Sequence, residues 1–263
     1  MDELRFRALS VLRIGEPAAR CSAAGELASF DGALDTQAAL DEPPGVPGRP
    51  ARPLLVAPGS LAPRPVGTPE GRAALLHALA HIEFNAIGLA LDHVWRFAGL
   101  PEQYYRDWTA VAAEEAHHFA LLRGRLRDVG YDYGDFPAHD GLWEMARRTA
   151  DDALARMALV PRTLEARGLD ASPAVRAKFA AIGDLESARI IDVILRDEIG
   201  HVAVGNRWFR FLCERRGVDP QAAYRQVAGR CRAPRPRGPF NVAARLQAGF
   251  TPQEVDELQR GAG

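Results

Sequence analysis

Cysteine is scarce in this chain, and its spacing excludes the sites that cysteine most often builds. The three cysteines, Cys21, Cys213 and Cys231, are odd in number and form no Cys-x-x-Cys pair. Neither a disulfide framework nor a structural zinc site is therefore expected, and a reducing compartment fits the sequence best. Lysine is scarcer still, since Lys178 is the only one, so arginine carries almost all the positive charge.

The motifs of several common enzyme classes are also missing. The sequence has no Gly-rich phosphate loop, no dinucleotide fingerprint and no Gly-x-Ser-x-Gly elbow. His81 and Glu83 lack the downstream Pro-Cys-x-x-Cys of a zinc deaminase. These absences argue against a nucleotide-binding fold, an α/β-hydrolase and a zinc deaminase.

Long apolar runs and a strong net charge are absent too. No run of 18 apolar residues occurs, and charged residues interrupt residues 1–19, so neither a membrane span nor a signal peptide is predicted. The formal net charge of −1 gives no general attraction to nucleic acid or to an anionic membrane. We therefore expect a soluble cytoplasmic protein without a membrane partner.

What the sequence does contain is helical periodicity through most of its 263 residues, which predicts an all-α protein. Residues 1–69 predict short helices over 3–40, followed by an irregular linker or surface strap with nine prolines and four glycines over 41–69. Residues 70–216 predict a four-helix bundle, and residues 217–263 predict a tail with short helices. The bundle helices are expected at 70–99, 102–129, 141–167 and from about 185 to Arg216, with a loop at 131–140 and a short helix from Ser172-Pro173 to about 182.

Three helix starts carry capping signals. Thr68 followed by Pro69 predicts an N-cap with proline at the first helical position. Asp140 can cap the third bundle helix in the same way. Thr251 and Glu254 have the spacing of a capping box and predict a last short helix.

Two Glu-x-x-His motifs carry the strongest chemical signal. One is Glu198-Ile199-Gly200-His201, and the other lies within Glu114-Glu115-Ala116-His117-His118. Residues three apart on a helix project from one face, so the Glu and the His of one motif can reach a single metal ion.

The first motif can be interpreted in two registers. Glu114 and His117 align with Asp107 and Asp128 on a solvent face, whereas Glu115 and His118 continue an apolar stripe. We choose Glu115 and His118, because a metal inside a bundle must lie on the core side. The members of that stripe are Trp108, Val111, Ala112, Leu122 and Leu126.

The second motif interrupts an apolar seam. Burying Glu198 and His201 without a hydrogen-bonding or charged partner would cost several kcal/mol each, so a metal or another strong partner is expected beside them. The seam is formed by Ile191, Ile194, Leu195, Trp208 and Leu212.

One further glutamate is predicted from each of the other two bundle helices. Glu83 lies in an apolar stripe 32 residues before Glu115, and Glu165 lies 33 residues before Glu198, as a helical hairpin repeated twice would give. Pro161 must break or kink the third helix just before Glu165, because it lacks a backbone donor and clashes with the preceding turn. Asp151 or Asp152, earlier on the same helix, is the alternative to Glu165.

The order Glu, Glu-x-x-His, Glu, Glu-x-x-His over residues 70–216 resembles the ferritin-like di-iron superfamily. The resemblance implies a ferritin-like four-helix bundle that holds two metal ions. A distant resemblance is to the di-iron tRNA hydroxylase that modifies 2-methylthio-isopentenyladenosine. The ligands implied are Glu83, Glu115, His118, Glu165, Glu198 and His201.

Several longer segments are similar to a bacterial family designated domain of unknown function 455. This resemblance implies a fold and a metal site but names no reaction. The segments are His81 to Glu83, Glu114 to Phe119, Tyr133 to Asp140, Ala155 to Arg162, Leu164 to Asp170, Asp197 to His201, Phe240-Asn241 and Ala244 to Phe250.

The remaining histidines have plainer interpretations. His77 and His81 are four apart, but no third ligand is placed for them, so we expect hydrogen-bonded or outer groups. His93 is expected at the surface, and His139 in a loop over one end of the bundle. The Arg-rich stretch 205–237 is expected to be a solvated face more than a phosphate contact.

Carboxylates mixed with imidazoles suit Fe or Mn, so two Fe ions are the expected cofactor, with Mn as the alternative. The first hypothesis is an oxidase or oxygenase that uses O2 or peroxide on an unknown organic substrate, with a modified tRNA base as one option. The second is an iron-storage or peroxide-detoxifying protein, and the third is a bundle without turnover. The segments on both sides of the bundle favour an enzyme that is a monomer or a small homo-oligomer.

Overall fold

The computed structural model of the chain describes residues 3–62 and 64–261, and within these residues the regular structure is helical. Two isolated parallel bridges, Glu3 with Ala33 and Leu55 with Ala138, are the only strand-like pairings in this part of the chain. The all-α prediction is therefore confirmed. The helices are α1 (Leu4–Leu12), α2 (Pro17–Ala28), α3 (Pro69–Arg96), α4 (Glu102–Asp128), α5 (Gly141–Arg148), α6 (Ala153–Leu159), α7 (Ala166–Ala181), α8 (Leu185–Arg216), α9 (Pro220–Arg230), α10 (Val242–Gln247) and α11 (Pro252–Gly261), with a 3-10 turn at Pro58–Ser60 and a π-helical turn at Val160–Glu165.

The chain divides into two compact units, Met1–Gly141 and Leu142–Gly263. Each unit contains one very long helix packed against a second helical element: α3 against α4 in the first unit, and α8 against the run from α6 to α7 in the second. Two such pairs are consistent with the predicted four-helix bundle. The division into 1–69, 70–216 and 217–263 stays a prediction.

In the first unit, α3 and α4 form a helical hairpin, with α1 packed on α3 and α2 packed on α4. The entry to α3 follows the predicted capping, since Thr68 Oγ1 accepts from the Gly71 amide at 3.1 Å and Pro69 opens the helix. The fully buried Arg5 of α1 ties that helix to the end of α3 by donating to the Trp95 carbonyl at 2.8 Å. The predicted N-terminal helices are thus a layer on the hairpin.

The described residues of the Pro-rich segment 41–69 form a strap that lies against other parts of the first unit, to which the segment belongs. Its Val56 amide donates to the Ala138 carbonyl at 2.8 Å, and the Ala138 amide donates to the Leu54 carbonyl at 3.0 Å. Gly48 donates to the Leu12 carbonyl at 2.9 Å. These backbone bonds at separate points fix an otherwise irregular segment to α1 and to the loop that follows α4.

In the second unit, a small apolar core joins α7 and α8 to the C-terminal helices. The predicted capping box is present, because Thr251 and Glu254 each donate a backbone amide to the other's side-chain oxygen, at 2.8 and 3.2 Å. The buried members of the core are Ala166, Leu169, Val202, Ala244, Ala248, Phe250 and Val255.

The third bundle helix differs from its prediction in its interior and at its C-terminal end. Predicted as one helix over 141–167, it is broken between α5 and α6, where Asp152 caps α6 through the Leu154 amide at 3.0 Å. It then continues past Gly168 and through Pro173 to Ala181, so the predicted separate helix is part of α7. In a regular helix the amide of residue 173 would donate to the Leu169 carbonyl, but proline has no amide hydrogen. The helix tolerates Pro173 because the Asn241 side chain donates to that carbonyl instead, at 3.2 Å.

Pro161 produces a π-helical turn, which confirms the predicted irregularity there. The helix continues through this turn with a wider, π-helical backbone. Within the turn, Thr163 Oγ1 donates to the Ala158 carbonyl at 2.7 Å. The Pro161 ring lies against α8 at Gly205, where a side chain would collide with it. Proline and glycine together let the two elements approach closely.

The structure bears on two other expectations, the absence of a membrane span and the position of His93, and it overturns the second. α3 is long and apolar enough to cross a membrane by length and composition, but 67% of its apolar window is buried inside the structure. The buried residues of α3 include Glu83 and Asp92, which is typical of a core helix. His93, expected at the surface, is fully buried, and its ring centroid lies 4.1 Å from that of Trp108.

The contact between Pro161 and Gly205 gives a stability prediction. In the Gly205→Ala variant the new Cβ would overlap Pro161 Cβ and lie 2.7 Å from Pro161 Cγ. We expect the free energy of unfolding to fall by about 1–3 kcal/mol, because overpacking forces a backbone shift. Urea denaturation monitored by circular dichroism measures it.

Gly200→Ala is the matched control on the same helix, since a Cβ added at that position would meet no atom within 4 Å. Alanine should stabilise α8 there by roughly 0.5–1 kcal/mol. Equal unfolding midpoints for the two variants would contradict a close contact between the π-helical turn and α8.

Candidate metal centre

The first unit brings three predicted ligands together. Glu83 projects from the core face of α3, and Glu115 and His118 project from the core face of α4, all buried. His118 Nδ1 lies 3.4 Å from Glu83 Oε2 and 3.5 Å from Glu115 Oε2. One ligand atom from each of the three lies within 4.8 Å of the others. This buried Glu/His cluster can hold a metal ion.

The burial of α4 follows the apolar stripe seen in the sequence. Glu115 and His118 are both 0% exposed, whereas Glu114 and His117 are exposed. The reason is the 3.6-residue period, which places Glu115 in line with Trp108, Ala112 and Leu122. The burial agrees with the chosen register, and the role of these residues as metal ligands stays a prediction.

Electrostatics shows what the cluster requires. Burial alone would lower the pKa of His118. Hydrogen bonding and charge from Glu115 and Glu83 outweigh that effect and raise the pKa to about 11. The two buried carboxylates thus favour a positive charge between them. A divalent cation can replace the proton, and His118 would then be a neutral ligand.

The second unit contains the other Glu-x-x-His motif in the same local geometry. His201 Nδ1 lies 3.6 Å from Glu198 Oε1, and both side chains are buried on the core face of α8. The corresponding separation in the first unit is 3.5 Å, so the two motifs present matched pairs of donors.

Glu165 closes the π-helical turn in the second unit and is half-buried. Its alternative, Asp152, caps α6 and forms ion pairs with Arg216 and Arg230, each at 2.8 Å. The other alternative, Asp151, is exposed. These contacts give Asp152 a structural role, so Glu165 remains the predicted ligand of this helix.

His81 and His77 fasten a loop onto α3. His81 accepts from the Tyr133 hydroxyl at 2.8 Å on Nδ1 and can donate from Nε2 to the His139 carbonyl at 3.1 Å. His77 Nε2 accepts from the Gly134 amide at 2.9 Å. Burial lowers the pKa of both to about 4, so they act as neutral hydrogen-bonding groups.

Sequence reasoning missed Tyr133 as the centre of this loop. Its ring stacks on His77 and contacts Phe84 and Phe119, with centroids 5.0–5.5 Å apart. His139 itself accepts from the Gly141 amide at 3.2 Å, and Asp140 forms an ion pair with Arg49 at 2.7 Å. An aromatic residue in a loop flanked by Asp and Gly was the available signal, but it does not specify its partners.

The helical fold and the buried Glu/His cluster define a class, namely an all-helical protein with a site that can hold a metal ion. The chain belongs to the family described as protein of unknown function (DUF455), whose model matches residues 14–256. It is 50% identical over 214 residues to an uncharacterized protein of Haemophilus influenzae, covering 79% of this chain and 74% of that protein. No solved structure matches the chain. Family membership is thus confirmed, and membership of the ferritin-like superfamily stays a prediction.

The register of α4 gives a metal-binding prediction. Glu115→Gln and His118→Ala should each lower the metal content by about tenfold or more, because each removes a donor from the buried cluster. Metal per chain is measured by elemental analysis after anaerobic loading with Fe(II) or Mn(II).

Glu114→Gln and His117→Ala are the matched controls, because the same residue types lie one position away on the exposed face. Both should keep the metal content of the unmodified chain. If the control pair loses metal while the buried pair keeps it, the assignment of ligands on α4 is wrong.

Proposed function

We propose that this chain is a di-metal protein, with two iron ions held by both Glu-x-x-His motifs, that uses O2 or peroxide to oxidise an organic substrate. The observation that carries the proposal is the buried trio of Glu83, Glu115 and His118, whose donor atoms lie within 4.8 Å. Mixed carboxylate and imidazole donors suit Fe or Mn better than a thiolate-binding metal.

The two-fold pattern of the sequence supports a second metal. Glu165, Glu198 and His201 in the second unit repeat the order of Glu83, Glu115 and His118 in the first, with separations of 33 and 32 residues. Di-iron carboxylate bundles use one Glu from each of two helices and a Glu-x-x-His motif from each of the other two. Six ligands, three from each half, are the set that this template needs.

The chain's own residues would set the net charge of the metal centre and the access of water to it. Two carboxylates beside a neutral His118 balance one divalent cation, so each half of the site is neutral when it is loaded. Trp108, Leu122 and Ile87 are buried on the same helix faces as the first unit's donors and would keep water from them. When bound, the metals supply the redox chemistry, and the protein supplies orientation and exclusion of water.

Metal stoichiometry tests the number of sites. We expect about two Fe or Mn per chain after anaerobic loading, as in other two-metal bundles. Glu198→Gln and Glu165→Gln should lower the stoichiometry further than Glu186→Gln, an exposed control on the same helix as Glu198. A plateau at one metal that depends only on the first unit's trio would refute the two-metal centre.

Rapid mixing with excess Fe(II) and O2 separates an enzyme from a storage protein. An enzyme should oxidise about two Fe(II) per chain and then stop until a reductant and a substrate are supplied. Mineral deposition, with on the order of hundreds of Fe(II) oxidised per chain, would favour storage. Product analysis with small RNAs and with cell extracts then distinguishes a modified tRNA base from a small-molecule substrate.

A further inference from the structure

The second unit contains a cavity of about 570 Å³ that the metal-centre proposal does not use. It is bounded by the π-helical turn, α9, the segment 233–236 and α11. Its volume falls inside the range of small-molecule sites, about 300–1,000 Å³.

The inner end of the cavity is rigid and already charge-balanced. Arg162 is buried, forms an ion pair with Glu254 and lies over the rings of Phe250 and Phe209, at 4.7 and 4.9 Å. Arg245 binds Asp170 through two hydrogen bonds of 2.6 and 3.0 Å. The two guanidinium groups therefore form a fixed part of the cavity wall, because Glu254 holds Arg162 and Asp170 holds Arg245 in place.

The walls offer apolar surface with a small polar feature. Two hydroxyls, Thr163 Oγ1 and Tyr224 Oη, lie 3.1 Å apart, with one from the π-helical turn and the other from α9. The rest of the wall is suited to a hydrocarbon or aromatic body. Its apolar members are Ala228, Ala233, Pro234, Pro236, Phe250 and Leu258.

The mouth of the cavity carries an excess of positive charge. Four arginines and two glutamates line the cavity from its inner end to its mouth, and counting Asp170 beside Arg245 leaves one net positive charge. Arg225 is exposed and lies 4.0 Å from Glu257, the outer limit of an ion pair, and Arg235 is exposed on the segment 233–236. These two side chains are the ones that an incoming anion would meet.

We propose that this cavity binds a small organic anion, with its apolar body against α9 and α11 and its carboxylate or phosphate facing Arg225 and Arg235. The Tyr224 hydroxyl would hydrogen-bond to a polar group of the ligand further inside, because the Thr163 hydroxyl already donates to the Ala158 carbonyl. The site needs no metal, so it stands or fails separately from the proposed function. Thr163 shares its turn with Glu165, so an occupant would lie against a segment that carries a predicted metal ligand.

The test uses the full chain and the fluorescent anion 8-anilinonaphthalene-1-sulfonate as the probe. Octanoate and octyl phosphate are titrated against the bound probe, and octanamide serves as the neutral analogue of the same length. We expect the anions to displace the probe at concentrations about tenfold lower than octanamide requires, because charge-assisted contacts are lost in the amide. The relative potency of octanoate and octyl phosphate shows which anionic group the site prefers.

Variants locate the displacement in this cavity. Arg225→Ala and Arg235→Ala should each weaken octanoate or octyl phosphate by about fivefold, since both side chains are exposed and partly screened. Arg189→Ala is the matched control, because Arg189 is exposed in the same unit and does not line the cavity. Ala228→Trp should fill the cavity and abolish displacement, while thermal unfolding checks that the variant is folded.

Two kinds of result would overturn the proposal. Equal potency of octanamide and octanoate would mean an apolar patch without anion recognition. Unchanged affinity in a folded Ala228→Trp variant, or equal losses in Arg225→Ala and Arg189→Ala, would mean that the probe binds elsewhere.

Discussion

The structure depends on the burial of two carboxylates beside a histidine. Glu83 and Glu115 are almost completely removed from water, and a carboxylate in an apolar core costs several kcal/mol unless a positive charge neutralises it. With His118 protonated the trio carries one net negative charge, whereas a divalent cation beside neutral His118 brings it to zero. A core of α3 and α4 that served stability alone would be better filled with apolar side chains, so the retained charges indicate a function for this position.

A second constraint is the close approach of the π-helical turn to α8. Pro161 lies over Gly205, and a larger residue at 205 would collide with the proline ring, which belongs to the π-helical turn. π-Helical turns insert one extra residue in a helix, and they are frequent at functional sites because they re-aim the side chains that follow. Here the turn ends at Glu165, so the geometry that presents this carboxylate depends on a local irregularity that Gly205 makes room for.

Periodicity and capping rules predict much of this molecule, because they act within a few residues. The stripe containing Trp108, Ala112 and Leu122 predicts the buried side of α4, and Thr68 and Thr251 predict two helix starts. What could not be predicted depends on partners distant in sequence. Pro173 continues a helix because Asn241 serves the orphaned Leu169 carbonyl, and His93 is buried because Trp108 packs against it. Neither partner is visible from the local sequence.

The two halves of the proposed centre repeat one pattern in sequence, yet they are built differently. In the first unit, Glu83 and the Glu115–His118 pair lie on two regular helices, and the nearby histidines are used to fasten a loop. In the second unit, Glu165 lies at the end of an irregular turn, and two other residues of that turn, Arg162 and Thr163, line a large cavity. The difference fits a division of labour in which the first unit holds the buried carboxylates and His118 on regular helices, and the second unit places a predicted metal ligand on the same turn as the cavity proposed to bind a small organic anion.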